Sequence, residues 1–188
     1  MHRHRLCPWW LGYLLASPVR RLWHDPGKIL SPYVREGMVV IEPGPGMGFF
    51  TLELLRRVGP SGRVVAVELQ PRMLKVLRRR ALDAGLYERL DSRQAEEHSL
   101  NLSDLESAAD FALVFAVAHE VADAGRFFSE LSHALKPNAR ALLVEPRPPV
   151  GPDEFEEELR YAAAAGLVCT ERPQVSLSAA AVLEKSTG

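Results

Sequence analysis

The amino-acid sequence predicts an α/β fold in which a mostly parallel sheet is covered by helices on both faces. From residue 38 onward, β-branched apolar runs alternate with longer segments of helical period, a pattern typical of βαβ units. No internal repeat or low-complexity tract interrupts this alternation. The length of 188 residues suits one domain with a sizeable core. We therefore expect a single domain over residues 1–188, with an N-terminal helical extension over 1–30 and the core over 31–188.

The first half of the core is predicted to contain three strands and two helices. Residues 38–42 (MVVIE) are expected to form strand one, and residues 49–58 a helix that stops near the glycines of 59–62. Residues 63–68 (RVVAVE) follow as strand two. Pro71 suits the first turn of the next helix, which is expected to run to about residue 84 and to end at Gly85. Strand three lies within residues 89–94, where the polar composition leaves its bounds open.

The helix after Pro71 is predicted to be amphipathic. Its expected buried stripe consists of Met73, Leu74, Leu77 and Leu82. The basic residues that are expected to point largely outward are Arg72, Lys75, Arg78, Arg79 and Arg80. Such a basic face is typical of a solvated helix surface, and the alternative is a patch that contacts RNA.

The second half is predicted to contain four strands and two helices. Residues 110–116 (DFALVFA) form a continuous apolar run that suits a buried central strand. A helix over 123–135 ends at Lys136 and Pro137, and residues 139–145 (ARALLVE) form strand five. A helix over 153–165 and two strands, over 167–171 and 176–184, bring the total to seven strands.

The composition argues against several classes of function. The 23 basic and 24 acidic residues give a formal net charge of −1, which disfavours a polynucleotide substrate or an anionic membrane surface. Cys7 and Cys169 lie far apart and form no CxxC pair, which argues against a disulfide framework and a zinc site and predicts a cytoplasmic location. His2, His4 and Cys7 match no tetrahedral ligand set, so no metal is expected.

The N-terminal segment contains an apolar run at residues 6–17 (LCPWWLGYLLAS). The run is too short for a transmembrane helix, which needs about 20 apolar residues. Tryptophan and leucine side chains here and near Trp23 are expected either to cover an apolar pocket as a lid or to pack a helix on the core.

The segment EPGPGMG, residues 42–48, is predicted to be a ligand-binding loop between a strand and a helix. Gly44, Gly46 and Gly48 permit a tight turn and a close approach of a ligand to the backbone. Phe49 stands where a GxGxxG dinucleotide fingerprint requires its third glycine. Glu42 precedes the loop, where a carboxylate would repel a pyrophosphate and attract the cationic ammonium and sulfonium of S-adenosylmethionine. The loop therefore favours S-adenosylmethionine over a dinucleotide.

Glu68 is the predicted partner of this loop. It closes the second strand, 20 residues after Gly48, where an acidic side chain can accept hydrogen bonds from both ribose hydroxyls. A glutamate at a helix entry is the alternative interpretation.

These motifs resemble a known family. VVIEPGPGMGFFTLELL and GRVVAVELQPRMLKVLRRRA are similar to motif I and the following acidic-strand motif of class I S-adenosylmethionine-dependent methyltransferases. RQAEEHSL, DFALVFAVAHEV and ALKPNARALLVEP resemble the family's later segments, and the similarity spans about residues 28–184. The small ubiquinone-biosynthesis-like or type 11 methyltransferases are the most similar group. The resemblance implies a Rossmann-like seven-stranded sheet of order 3214576 with the last strand antiparallel.

The resemblance also implies roles for individual residues. Glu42 would hold the methionine end of the cofactor. The three glycines would contact its methionine and ribose through their backbone atoms, and Glu68 would bind the ribose. Leu69 would pack on the adenine. The remaining implied contacts are the adenine-amide loop, at Gln94, Ala95 and Glu96, and the reactive end, at Phe115 and Ala116. Many relatives have aspartate where Gln94 stands, so the partner of the exocyclic amine stays open.

His119 and Glu120 are the candidate catalytic residues. They follow strand four, on the side where open α/β sheets bind ligands. His119 is the best available general base because its ordinary pKa of about 6.5 lies near working pH. A histidine that only bonds the backbone of this turn is the alternative.

The predicted function is methyl transfer to a small, partly apolar acceptor. A catalytically silent cofactor-binding or interaction module and a nicotinamide-dependent oxidoreductase are the alternatives. The acceptor, the attacking atom and the oligomeric state are left open by the sequence.

Overall fold

A computed structural model describes residues 23–187 and contains a seven-stranded sheet of order β3-β2-β1-β4-β5-β7-β6. The five strands β1 to β5 pair in parallel, and β7 runs antiparallel to both β5 and β6. The strands are β1 Val39–Pro43, β2 Arg63–Glu68, β3 Leu90–Gln94, β4 Ala109–Phe115, β5 Leu135–Pro146, β6 Leu167–Glu171 and β7 Ser178–Lys185. The predicted order and the antiparallel last strand are confirmed.

Five α-helices lie among the described residues: α1 Pro26–Leu30, α2 Thr51–Arg57, α3 Pro71–Asp83, α4 Ala124–Ala134 and α5 Pro152–Ala164. Asp25 caps α1, and Asp123 caps α4 by accepting a hydrogen bond from the Arg126 N–H at 2.9 Å. Pro71 begins α3 as the sequence predicts. None of these helices is long and apolar enough to cross a membrane.

The helices cover both faces of the sheet because the central strands are apolar on both sides. Val64 packs in a cluster with Leu54 of α2, whereas its neighbour Val65 packs in a cluster with Phe128 of α4. Successive residues of a strand point to opposite faces of the sheet, so one strand contributes side chains to the hydrophobic cores on both faces. The edge strand β3 is only half-buried, which explains its polar sequence.

Two structural details correct the sequence predictions. Leu82, predicted to lie in the buried stripe of α3, is 58% exposed, and Ala81 is buried instead. Ala81 lies one helical turn after the buried Leu77, whereas Leu82 is turned away by a further 100°. Strand β5 begins at Leu135, directly after α4, rather than at residue 139. The remaining element bounds agree with the predictions to within two residues.

The segment predicted as a lid lies outside the described residues except for Trp23, and so do His2, His4 and Cys7. The division of the chain at residue 30 stays a prediction. On the basic face of α3, Arg78 donates to Ser92 Oγ at 2.7 Å and Arg80 donates to the Met47 carbonyl at 2.5 Å. Both arginines therefore bind neighbouring segments of the domain.

Candidate active site

A cavity of about 830 Å³ opens at the carboxyl ends of the central parallel strands. The predicted site residues that line it are Gly44, Gly46, Glu68, Leu69, Ala95, Glu96, Phe115, Ala116, His119 and Glu120. Parallel strands bring their carboxyl ends to one edge of the sheet, so residues up to 76 positions apart meet there. The topology therefore joins segments that the sequence keeps separate.

Three predicted site residues lie outside the lining of this cavity: Glu42, Gly48 and Gln94. Glu42 is buried at the end of β1, with 3% of its surface exposed. Gln94 is exposed at the end of β3, where its carbonyl accepts a hydrogen bond from Asn101 Nδ2 at 3.0 Å. The structure thus places Glu42 beneath the loop and Gln94 beside the cavity.

The glycine loop has a left-handed backbone at Gly44, Gly46 and Gly48, with φ values of +65°, +55° and +87°. A Cβ atom at Gly44 would lie 2.7 Å from Val117 Cγ2, and one at Gly48 would lie 2.5 Å from Leu77 Cδ1. Only glycine allows both the backbone conformation and these approaches. Gly48 therefore serves the packing of the loop on α3, while Gly44 and Gly46 border the cavity.

Glu68 connects the glycine loop to the end of β2. Its Oε2 accepts a hydrogen bond from the Gly46 N–H at 3.0 Å, and its Oε1 accepts one from the Gln70 N–H at 2.9 Å. The side chain is only 6% exposed, and this burial raises its pKa despite the backbone donors, which lower it. Each carboxylate oxygen has a second lone pair, so the group retains acceptor capacity toward the cavity.

The loop after β3 forms another wall of the cavity. The Ala95 N–H donates to the Glu68 carbonyl at 3.0 Å, and Glu96 pairs with Ser99 in a short bridge. Glu130 of α4 holds this loop in place, because it accepts a hydrogen bond from the Leu100 N–H at 2.7 Å. Leu69 and Ala95 supply apolar surface between these polar groups.

The end of β4 turns sharply into the cavity. Ala116 has a φ of +57°, an unusual value for a residue with a Cβ atom, and its N–H donates to the Val144 carbonyl at 2.8 Å. The Phe115 ring lies 4.3 Å from the Phe50 ring, centroid to centroid. This turn directs residues 117–120 across the strand ends, where His119 and Glu120 line the cavity.

Glu145, at the end of β5, holds the His119 ring. Its Oε2 lies 2.5 Å from His119 Nδ1, and its Oε1 accepts hydrogen bonds from the Val117 and Ala118 N–H groups at 3.2 and 2.8 Å. Burial acts to lower the pKa of His119, but the hydrogen bond and the charge of Glu145 outweigh it, and the pKa is raised above 6.5. The buried carboxyl group of Glu145 therefore both orients the histidine and favours its protonated form.

Glu158 of α5 is a second buried carboxyl group near this pair. It is 5% exposed, and neither carboxyl oxygen has a hydrogen-bond partner. Burial first, and then the charge of Glu145, raises its pKa to about 8, while His119 acts to lower it. Glu158 is therefore expected to be protonated at neutral pH.

Glu145 and Glu158 are residues near the site that the sequence pattern does not single out. The pattern of the sequence predicts Glu145 only as the end of strand five and Glu158 only as part of the helix over 153–165. Glu145 ends a strand that neighbours β4, so its position beside His119 follows from strand order. For Glu158 a weak signal existed, because it stands between apolar residues on the helix face that carries Phe155 and Ala162.

Comparison of the sequence with known protein families shows to which family this chain belongs. A family model described as "Methyltransferase domain" matches residues 41–143, which is more than half of the chain. The chain belongs to this methyltransferase family. The match runs from β1 through β4 and into β5, and so includes the glycine loop, Glu68 and His119. The resemblance to class I S-adenosylmethionine-dependent methyltransferases is thus confirmed.

Curated relatives of this methyltransferase domain carry the name ubiquinone/menaquinone biosynthesis C-methyltransferase UbiE. The protein from Hahella chejuensis is 30% identical over 139 residues, which cover 74% of this chain and 55% of that protein. The one from Idiomarina loihiensis is 31% identical over 137 residues, covering 73% and 53%. The chain spans about half the length of these relatives.

Solved structures share the fold of the methyltransferase domain. A methyltransferase from Aquifex aeolicus, described as dependent on S-adenosylmethionine, superposes with a TM-score of 0.84 at 24% identity and covers 96% of this chain and 100% of that one. A structure described as the [4+2]-cyclase SpnF has a TM-score of 0.71 at 16% identity, covering 87% and 81%. The fold alone therefore does not specify the reaction.

The site of this methyltransferase domain fits S-adenosylmethionine, the cofactor of its family. A Cβ atom at Gly46 would meet nothing closer than Met73 Sδ at 3.8 Å, so the missing side chain leaves room for a ligand against the backbone. Buried carboxyl groups stand at the ends of β1 and β2, where they favour a cationic ligand. Among the described residues, no group of three or more histidine, cysteine or acidic side chains is arranged to hold a metal ion.

Proposed function

We propose that this chain transfers a methyl group from S-adenosylmethionine to a small, apolar acceptor. The observation that carries the proposal is a single cavity whose walls hold both the glycine loop with Glu68 and the histidine of the β4 turn. Its volume of about 830 Å³ lies in the upper part of the range for ligand pockets, which suits a cofactor together with a second small molecule.

The cofactor-binding part of the proposal rests on residues at the ends of four strands, β1 to β4. Gly44 and Gly46 would border the methionine and ribose, with the buried Glu42 supporting the loop from β1. Glu68 would accept the ribose hydroxyls. Two further sets complete the proposed contacts: Leu69, Ala95 and Glu96 at the adenine, and Phe115 and Ala116 at the reactive end.

S-adenosylmethionine, when bound, supplies an electrophilic methyl group on a positively charged sulfur. The protein has to align the acceptor with this group, exclude water and remove a proton where the acceptor carries one. We propose that His119 accepts that proton, with Glu120 beside it: His119 Nε2 lies 3.9 Å from Glu120 Oε1. The aligned geometry and the base are the contributions of this chain's own residues.

The proposed acceptor is an apolar ring compound. Apolar side chains line the acceptor end and the mouth of the cavity: Trp23, Phe49, Phe115, Val121 and Leu177. Trp23 and Leu177 line the cavity and are 50% and 63% exposed. The names of the curated relatives refer to ubiquinone and menaquinone biosynthesis, which agrees with an apolar ring acceptor.

The test is transfer of labelled methyl groups from S-adenosylmethionine to a panel of hydroxylated ring compounds with short apolar side chains. We expect labelled product from at least one of them, and loss of labelling when Glu68 is replaced by alanine. Tight binding of S-adenosylhomocysteine without labelling of any panel compound or cell-extract component would instead support the cofactor-binding module.

We also propose that the chain acts in the cytoplasm and on small molecules rather than nucleic acid. A free thiol at Cys169 and the near-neutral net charge support this. Fractionation of cells that express the natural protein, together with a binding assay on RNA at physiological salt, tests both statements. Recovery in the membrane fraction or salt-sensitive RNA binding would contradict them.

A further inference from the structure

Glu145 is a buried acidic side chain that lies against His119 in the wall of the cavity. It is fully buried, two backbone N–H groups donate to its Oε1, and its Oε2 lies within hydrogen-bond distance of His119 Nδ1. An ionised carboxylate has acceptor sites on both oxygens and no proton to donate, so it matches these three contacts when the histidine is the donor. With Glu145 ionised, the proton of the contact at Oε2 therefore lies on His119 Nδ1.

We propose that Glu145 is a positioning residue that keeps the proton of neutral His119 on Nδ1, so that Nε2 faces the cavity as a base. This inference rests on the methyl transfer proposed above, because it assigns a means of proton removal to that reaction. The cavity lining includes both His119 and Glu120, and Nε2 is the ring nitrogen nearer to Glu120. The unprotonated nitrogen is therefore directed toward the acceptor.

For an acceptor that carries an X–H bond, His119 takes up the proton that methyl transfer releases. The X–H bond breaks, its electron pair remains on X, and a new N–H bond forms at His119 Nε2. The bond between X and the methyl carbon forms as the carbon–sulfur bond breaks, and that electron pair stays on sulfur. His119 becomes a cation next to the Glu145 carboxylate, which stabilises it.

Three acidic groups act on His119 from three elements. Glu145 contacts it from β5, Glu120 lies beside it in the β4 turn, and Glu158 acts on it from α5. Glu158 in turn is influenced by Glu145 and by Glu154 of the same helix. With Glu158 protonated, Glu145 is the carboxylate that hydrogen-bonds the ring.

Nuclear magnetic resonance of ¹⁵N-histidine-labelled protein tests the proposal without any acceptor. In the wild-type protein, above the pKa of His119, we expect the proton of this ring on Nδ1, with the signals assigned by their loss in His119→Gln. A proton on Nε2 in the wild-type protein would overturn the proposal.

Glu145→Gln gives the sharpest contrast. The Val117 and Ala118 N–H groups fix the amide oxygen in the position of Oε1, so the amide NH₂ group must face His119 Nδ1. Nδ1 then has to accept, and the ring proton moves to Nε2. We expect this change of tautomer, together with a fall in kcat of about 10²- to 10⁴-fold and an unchanged Kd for S-adenosylhomocysteine.

Two further variants separate positioning from mere stability. Glu145→Asp retains a carboxylate and is expected to keep the Nδ1 proton and recover part of the lost rate. Asp110→Asn makes the same chemical change at a carboxylate that accepts the Val39 N–H at 2.8 Å at the start of β4, away from the cavity. It is expected to leave both the tautomer and the rate unchanged.

The outcomes distinguish this inference from the proposed function. Absence of methyl transfer in the wild-type protein, with the Nδ1 tautomer present, would refute the proposed function and leave the geometric role of Glu145 standing. Methyl transfer in which Glu145→Gln retains the wild-type rate would refute the positioning role alone. If Glu145→Gln does not fold, the wild-type tautomer and the Glu145→Asp variant still decide the question.

Discussion

Gly44 is a residue whose missing side chain lets two parts of the site meet. The glycine loop passes so close to the β4 turn that a Cβ atom would overlap Val117. Its positive φ alone would cost an alanine about 1–2 kcal/mol, and the overlap adds to that cost. A Cβ atom at Gly44 would thus be disfavoured both by the backbone conformation and by the contact with Val117. Mutation can separate these two effects.

Gly85 provides the matched control for Gly44. Its φ of +68° is nearly the same, but a Cβ atom there would meet nothing within 4 Å. We expect Gly85→Ala to lower the free energy of unfolding by about 1–2 kcal/mol, and Gly44→Ala to lower it by more and to weaken S-adenosylhomocysteine binding as well. Chemical denaturation and calorimetry measure both effects. Equal losses in the two variants would show that the contact with Val117 is unimportant.

Glu68→Ala is expected to weaken S-adenosylhomocysteine binding about 10- to 100-fold, which corresponds to about 1.4–2.8 kcal/mol. The change removes the acceptor of the Gly46 N–H and the proposed acceptor of the ribose. Asp83→Ala, at the exposed end of α3, is the control and should leave the affinity unchanged. Isothermal calorimetry gives the affinity, and circular dichroism shows whether the fold persists. Wild-type affinity in a folded Glu68→Ala variant would remove this residue from the site.

Glu158→Gln is expected to stabilise the protein increasingly as the pH rises. The pKa of Glu158 is about 8 in the folded state and close to 4.5 in the unfolded state, so the folded protein binds the extra proton. Between these values the wild-type protein loses stability as the pH rises, whereas a glutamine has no proton to lose. The variant should gain about 1–4 kcal/mol at pH 8 and almost nothing at pH 4.5.

The control for this pH effect is Glu157→Gln, which makes the same charge change on the exposed face of the same helix. Urea denaturation across pH 4.5–8 measures the free energy of unfolding of all three proteins. A stability difference for Glu158→Gln that does not change with pH would contradict the raised pKa.

At the scale of elements, α3 shows how packing distinguishes neighbouring leucines. Leu77 is fully buried and is the residue against which Gly48 packs, whereas Leu82 is mostly exposed. Leu77→Ala is expected to cost about 2–5 kcal/mol of unfolding free energy, and Leu82→Ala about 0.5 kcal/mol or less. Thermal and urea denaturation measure both. A comparable loss from Leu82→Ala would mean that this side chain is covered in solution.

The elements themselves were largely predictable from local pattern. The bounds of β2 and β6 match their predictions, because each is a short run between clear breakers. The early start of β5 was not predictable from the sequence. Lys136 and Pro137 are as typical of the end of a helix as of the first residues of a strand. The exposure of Leu82 was not predicted, because the hydrophobic pattern of α3 is compatible with a buried residue at this position. Only the packing of α3 on β2 and β3 decides which face of the helix is buried.

At the scale of the whole molecule, ligand binding should stabilise the fold selectively. A ligand at 100 times its Kd adds about 2.7 kcal/mol to the free energy of unfolding, which raises the Tm of a domain of this size by about 5–11 °C. We expect this shift with S-adenosylhomocysteine and none with NAD⁺. Differential scanning fluorimetry measures it. A shift with NAD⁺ alone would favour the oxidoreductase that Phe49 and Glu42 argue against.

The sequence by itself determined the fold class, the strand order through its family motifs, and the cofactor through the segment from Glu42 to Gly48 with Glu68. These features depend on residues close together in the chain, where spacing and chemistry are directly visible. Only the tertiary structure decided that Gly48 packs on α3, that Gln94 stands outside the cavity, and that Glu145 holds His119. Those relations join strand ends and helices that are distant in sequence, and they exist only once the parallel sheet brings them to one edge.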